Sequence, residues 1–131
     1  MMRPVMLALL LAACGSEPRV HVHADGASLA IDGDVALRAV HVKLQWTPCA
    51  SFTAAAAGPD AAQLNMVRLQ LDPDGCGGQV VVTDTRRIRL PARGSIVAFT
   101  AASDTVIRVL SAQGADEQEA GSPYAVDVGV K

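Results

Sequence analysis

Residues 37–46 read LRAVHVKLQW, and apolar and polar side chains alternate strictly from Val40 to Trp46. A period of two is typical of a β-strand that turns one face to a core and the other to water. We expect this strand to run over 35–46. Val35 and Leu37 keep the opposite phase, so a bulge or a change of partner sheet is expected near Ala39. Pro48 then ends the strand, because proline cannot donate to a sheet ladder.

Shorter segments of the same kind fill the rest of the chain. Further strands are expected at 19–23, 28–31, 67–71, 79–83, 86–90, 95–100, 105–110 and 124–130. Residues 51–64 are rich in Ala and predict a loop with one helical turn near 61–64, and 112–123 predict a polar loop. Eight or nine short strands without a long helix indicate an all-β protein, a single β-sandwich of antiparallel strands with jelly-roll character.

The N-terminus carries a different signal. Arg3 precedes a short apolar run that ends at Leu11-Ala12-Ala13-Cys14. The run is shorter than the roughly 20 residues needed to span a bilayer, so it indicates a targeting segment. The four residues resemble the lipobox of bacterial lipoproteins, which implies cleavage before Cys14 and lipidation of its thiol. The alternative is an ordinary secretory signal cut near Ala13, with Cys14 left as a free thiol.

This interpretation divides the chain and places it in a compartment. It predicts a lipoprotein signal peptide at 1–13, a lipidated cysteine and tether at 14–18, and the β-sandwich domain at 19–131. The residue after Cys14 is Gly15 and not Asp, which resembles lipoproteins that are passed on to the outer membrane. We therefore expect the bacterial cell envelope, with the membrane as one partner through the lipid anchor. The protein would face either the periplasm or the cell surface.

Lipidation of Cys14 leaves Cys49 and Cys76 as an even pair in an oxidising compartment, which predicts a disulfide. Closing a loop of this length contributes roughly 3–4 kcal/mol on the chain-entropy estimate. Metal ligation or a redox pair is the alternative, but the CxxC spacing of such sites is absent from the sequence.

Composition excludes several classes of function. Aromatic residues make up 3% of the chain, which argues against an aromatic platform for stacking sugars. The formal net charge of −2 offers no basic patch for nucleic acid. The sequence has no GxSxG elbow and no pair of carboxylates that can be assigned to glycoside hydrolysis. We expect neither an enzyme nor a cofactor.

Histidines provide the alternative function. His21 and His23 share one face of their strand, and His41 could join them if the two strands are neighbours. Such a site would make the chain a small periplasmic metal- or ligand-binding lipoprotein. The competing interpretation is that all three are solvent-facing strand residues. The basic residues of 86–93 likewise indicate the solvated face of a strand and turn, with contact to acidic lipids or an acidic partner as the alternative.

From Val35 to Val130 the order of features resembles a cohesin-like domain, within the carbohydrate-binding-module-like sandwiches. Residues 37–46 look like the long strand that leads into a "Y-D-P"-type end, here Trp46-Thr47-Pro48. Residues 80–85 followed by 88–94 resemble a strand and a "P-x-G" turn, and 96–100 (IVAFT) stand at a "V-x-F-T" strand. The Ala-rich middle and the expected Cys49–Cys76 bridge depart from the pattern.

The resemblance implies a non-catalytic binding or structural sandwich. Cohesins bind dockerin modules through one sheet face, but no residue here marks such a face, so a dockerin is not implied. The leading hypothesis is a lipid-anchored sandwich that mediates protein binding or assembly at the cell envelope, with a polysaccharide as the other possible partner.

Overall fold

A computed structural model describes residues 18–117 and 123–131. The predicted signal peptide and Cys14 lie outside the described residues. The strands are β1 (Val20–Asp25), β2 (Ser28–Gly33), β3 (Ala39–Thr47), β4 (Phe52–Ala57), β5 (Met66–Leu71), β6 (Gly77–Thr83), β7 (Arg93–Ala101), β8 (Val106–Glu117) and β9 (Pro123–Val130), with one 3-10 turn at Pro59–Ala61. Over these ranges, no helix has the length and apolar character that crossing a membrane requires.

The nine strands pair in the order β4-β7-β2-β1-β9-β8-β3-β6-β5 and fold into two layers. We call β4-β7-β2-β1 the first sheet and β9-β8-β3-β6-β5 the second sheet. β9 joins them, because it runs parallel to β1 over Val128–Val130 and antiparallel to β8 over Pro123–Asp127. The predicted all-β sandwich is confirmed, and β1–β9 is its one parallel pair among the described strands.

The core lies between the layers and follows the alternation seen in the sequence. Along β3, Val40, Val42, Leu44 and Trp46 are buried while the residues between them are exposed. Opposite them, the first sheet supplies apolar side chains from every strand. These include Val20, Val22, Leu29, Ile31, Phe52, Ile96, Val97 and Phe99.

β3 begins at Ala39, not at Val35, and the expected bulge at Ala39 is wrong. Before Ala39 the chain is held by single hydrogen bonds: Arg38 N donates to Ala115 O (2.9 Å), and Leu90 N donates to Leu37 O (2.8 Å). The change of phase therefore marks where the chain enters the sheet. The irregularity in the pairing of β3 with β8 lies at Lys43/Leu44 instead.

The Ala-rich segment is the largest correction. Residues 52–57 form β4, an edge strand paired with β7, and the helical turn lies at Pro59–Ala61 rather than at 61–64. Phe52 is 3% exposed and anchors the strand in the core. Tertiary pairing of this kind overrides the low strand propensity of alanine.

Two further segments differ from the prediction. Residues 86–90 form no strand, because Arg86 turns back to bind Asp84 and Arg87 adopts a φ of 67°. Residues 112–117 of the expected polar loop at 112–123 belong to β8 instead, which continues to Glu117 along β3 and β9. Residues 118–122 of that expected loop lie outside the described residues.

The predicted disulfide is present: Cys49 after β3 is bonded to Cys76 in the turn between β5 and β6. Two backbone bonds run beside it, from Trp46 N to Cys76 O (2.9 Å) and from Ala50 N to Gly75 O (2.7 Å). Trp46 also donates from Nε1 to Gly75 O at 2.9 Å. The crosslink therefore fastens two neighbouring turns at one end of the second sheet.

Candidate binding face

The solvent-facing side of the second sheet, which we call the front face, is built on the outward residues of β3. His41, Lys43 and Gln45 are exposed there because their neighbours in sequence point into the core. The register sets two rows across the sheet. One row is Asp127–Gln113–His41–Val81–Arg68, and the next is Ser111–Lys43–Gln79–Gln70.

An apolar hollow of about 340 Å³ lies at one end of the front face. Its floor contains Ala39, Ala115 and Ala125, which stand side by side on β3, β8 and β9. Three adjacent methyl groups leave a depression between the larger side chains of Val81 and Tyr124, which help to line it. Alanine is depleted in ordinary strands, so three in one row make this part of the sheet unusually low.

A polar hollow of about 420 Å³ adjoins the apolar one, and His41 and Gln113 line both. Lys43, Gln79 and Asp127 complete its polar rim. His41 Nε2 donates to Gln79 Oε1 at 2.6 Å, which holds the imidazole across β3 and β6. The front face thus offers apolar volume and hydrogen-bonding groups side by side, on strands rather than on loops.

A third, smaller hollow of about 200 Å³ lies at the opposite end of β3, between Gln45, Thr47, Val106 and Arg108. Val106 is 66% exposed, the largest exposure among the big apolar side chains of the described residues. Apolar surface therefore occurs at both ends of the front face, with the polar hollow between them.

The three histidines do not converge. β9 and β8 separate β1, which carries His21 and His23, from β3, which carries His41. The His21 ring packs over Gly129, where a Cβ would overlap it. Among the described residues, no three His, Cys, Asp or Glu side chains lie close enough together to hold a metal ion.

Three of the four basic residues of 86–93 are used inside the fold. Arg86 binds Asp84, Arg89 binds Asp116, and Arg93 Nε lies 3.3 Å from Asp32 Oδ1. Hydrogen bonds from Arg86 lower the pKa of Asp84 from 3.8 to about 2. Since Asp84 is buried against its own turn, this displaced pKa reflects local structure rather than a reactive site.

Sequence reasoning placed His41 on a polar face but missed the hollows beside it. Their floor depends on Ala115 and Ala125, and 112–123 were expected to form a loop. The signal that could have found them is the alternation of Gln113 and Ala115 with Ala112 and Gly114, whose phase is shifted by one residue from that of Val106–Leu110 at the irregularity in β8. Strand propensity does not predict this stretch as a strand, because it contains alanine and glycine, which are depleted in strands.

No protein-family model matches the sequence, and no curated protein matches it. Solved structures do match the fold. A cohesin of Clostridium thermocellum in the Coh-OlpC-Doc435 complex, a type I cohesin–dockerin complex, aligns with a TM-score of 0.58 at 10% identity. That alignment covers 88% of this chain and 91% of the cohesin.

Two further structures agree with it. A non-cellulosomal cohesin of the archaeon Archaeoglobus fulgidus aligns with a TM-score of 0.56 at 13% identity and covers 86% of each chain. The sixth cohesin of scaffoldin B of Acetivibrio cellulolyticus, solved with a Cel5 dockerin variant, gives 0.52 at 11% identity and covers 86% of this chain and 96% of that one. This chain therefore has the cohesin type of β-sandwich fold, as its sequence pattern suggested.

Proposed function

We propose that this chain is a non-catalytic module that binds a protein partner on its front face. The observation that carries the proposal is the pair of adjoining hollows, one apolar and one polar, that share His41 and Gln113. One protein surface can fill both, with an apolar side chain over Ala115 and polar groups near Lys43. The fold supports the proposal, since two of the similar cohesins were solved in complexes with a dockerin.

The front face suits binding without rearrangement. Its residues stand on five paired strands whose opposite sides pack against the core. A surface fixed in this way loses little conformational entropy when a partner docks. Small ligands are held in deep, mostly enclosed pockets, whereas shallow hollows on a broad sheet favour a protein surface.

We also propose that the module works at the bacterial cell envelope, tethered through lipid on Cys14. The support is the sequence Leu11-Ala12-Ala13-Cys14 behind a short apolar run. Radioactive palmitate supplied to expressing bacteria should label the wild-type chain and not a Cys14→Ala variant. Equal labelling of both chains, or of neither, would contradict the anchor.

Site-specific photo-cross-linking tests the binding face. A photoreactive phenylalanine derivative replaces Val81 on the front face or Ala98 on β7, an outward position of the first sheet. Each chain is irradiated in the cells that naturally make it. The proposal expects a defined protein adduct from position 81, suppressed by excess unmodified chain, and none from position 98. Adducts of equal yield from both positions, or none from position 81, would refute it.

A further inference from the structure

The described basic side chains fall into two groups. Six of them form salt bridges within the fold, and they are distributed over the first sheet and the turns. The pairs are Arg19–Asp34, Arg38–Glu117, Arg86–Asp84, Arg89–Asp116, Arg93–Asp32 and Lys131–Asp32. In the part of the chain that the structure describes, Lys43, Arg68, Arg87 and Arg108 form no salt bridge.

Three of these four cations stand on the front face. Lys43 points outward on β3. Arg68 on β5 lies opposite Val81 of β6, and Arg108 on β8 lies opposite Gln45 of β3. The carboxylates on this side are Asp127 on β9, Asp72, which follows β5, and Glu117 at the end of β8, which forms a salt bridge with Arg38. The whole chain carries a net charge of −2, so these three cations make a positive area on an acidic protein.

The spread of the three charges limits what they can recognise. β8, β3, β6 and β5 are consecutive, so Arg108 and Arg68 are three inter-strand spacings apart across the sheet, or about 14 Å. They are also offset along the strands, because Arg108 lies level with Gln45 and Arg68 lies level with His41, four residues away on β3. A single phosphate or carboxylate cannot reach all three. We infer that the partner presents several acidic side chains across a surface, to one side of an apolar side chain that enters the hollow over Ala115.

This inference rests on the proposed function and adds the chemistry of the partner. The apolar hollow of about 340 Å³ favours a protein over an anionic polysaccharide, because a polysaccharide has no apolar side chain to fill it. Opposite charges across the interface would speed association and favour this class of partner over basic or neutral surfaces.

A random peptide display library provides the probe. The library is selected on the immobilised, disulfide-intact chain. Peptides that bind the front face are identified because they bind an Ala125→Trp variant, in which tryptophan fills the hollow, more weakly than the wild type. We expect these binders to be enriched in Asp and Glu. A Lys43→Glu/Arg108→Glu variant should weaken them about tenfold or more. Arg87→Glu is the matched control and should leave their affinity unchanged, since Arg87 lies off the face and forms no salt bridge with any described residue.

Salt gives the second readout. Raising NaCl from about 0.1 M to about 1 M shortens the Debye length from about 10 Å to about 3 Å, so affinity should fall. Face-dependent binders that are neutral or basic, or whose affinity does not change with salt or charge reversal, would refute the proposal of an acidic partner. They would still support the front face as the docking surface. A selection that yields no face-dependent binder would overturn both proposals.

Discussion

Asp84 illustrates how one buried carboxylate fixes a segment that forms no strand. Its oxygens accept hydrogen bonds from Asn65 N (2.9 Å), Arg86 N (2.7 Å) and the Arg86 guanidinium (2.8 Å). The side chain of Asn65 adds two bonds to Thr85. This network holds the end of β6 against the turn before β5. It also explains why residues 86–90, where Arg and apolar residues alternate, form no strand.

Replacing Asp84 by Asn should lower the melting temperature by several degrees at neutral pH. The amide cannot accept all of these bonds, and it removes the charge that Arg86 pairs with. Thermal unfolding followed by circular dichroism measures the effect. Asp104→Asn, on an exposed turn, is the control and should leave the melting temperature unchanged. Equal melting temperatures for wild type and Asp84→Asn would contradict this role.

The same carboxylate gives a pH dependence whose sign is fixed. Hydrogen bonds from Arg86 lower the pKa of Asp84 to about 2 in the folded protein, against 3.8 without them. Its stabilising contribution is therefore complete above pH 3.8 and is lost as the pH falls towards about 2. The melting-temperature difference between wild type and Asp84→Asn should shrink over that window. A difference that is constant down to pH 2 would show that the charge is not involved.

At the scale of elements, the sequence predicted strands well where large apolar residues alternate. Val40 to Trp46 identified β3, and Tyr124 to Val130 identified β9. The prediction failed where alanine carries the strand, in β4 and in the second half of β8. In both cases the pairing partner, β7 or β3, decides the structure, and a partner strand is not visible in local sequence.

The front face was hard to predict for the same reason. Alternation in β3 was enough to turn His41 and Lys43 outward. The hollow beside them depends on the register that sets Ala39, Ala115 and Ala125 in one row. A one-residue slip would turn the alanines of β8 and β9 into the core, and the sequence alone does not specify register across strands so far apart in the chain.

The disulfide acts between elements, and its loss should destabilise the fold. Cys49 and Cys76 are 27 residues apart, which corresponds to about 3–4 kcal/mol of chain entropy in the unfolded state. Urea unfolding of a Cys49→Ser/Cys76→Ser variant should show a loss of this size. Reductant should produce the same loss in the wild type and no change in the variant. A loss below about 1 kcal/mol would contradict the prediction.

On the scale of the whole molecule, the two outer faces differ. The described basic residues of the first sheet are paired with Asp32 and Asp34, and its outward positions include small residues such as Ala30 and Ala98. The front face has adjoining hollows and three cations that form no salt bridge within 18–117 and 123–131. This asymmetry, on a fold shared with cohesins, is the basis for proposing that partners dock on one side only.

The most direct test of that claim uses the partner protein captured by cross-linking at position 81. Calorimetry measures its dissociation constant with two tryptophan variants of this chain. Ala125→Trp fills the apolar hollow, and Ala98→Trp adds the same side chain to the first sheet. We predict that Ala125→Trp weakens binding about tenfold or more, or about 1.4 kcal/mol, while Ala98→Trp leaves it unchanged. Equal affinities for the two variants, or a greater loss with Ala98→Trp, would contradict the account.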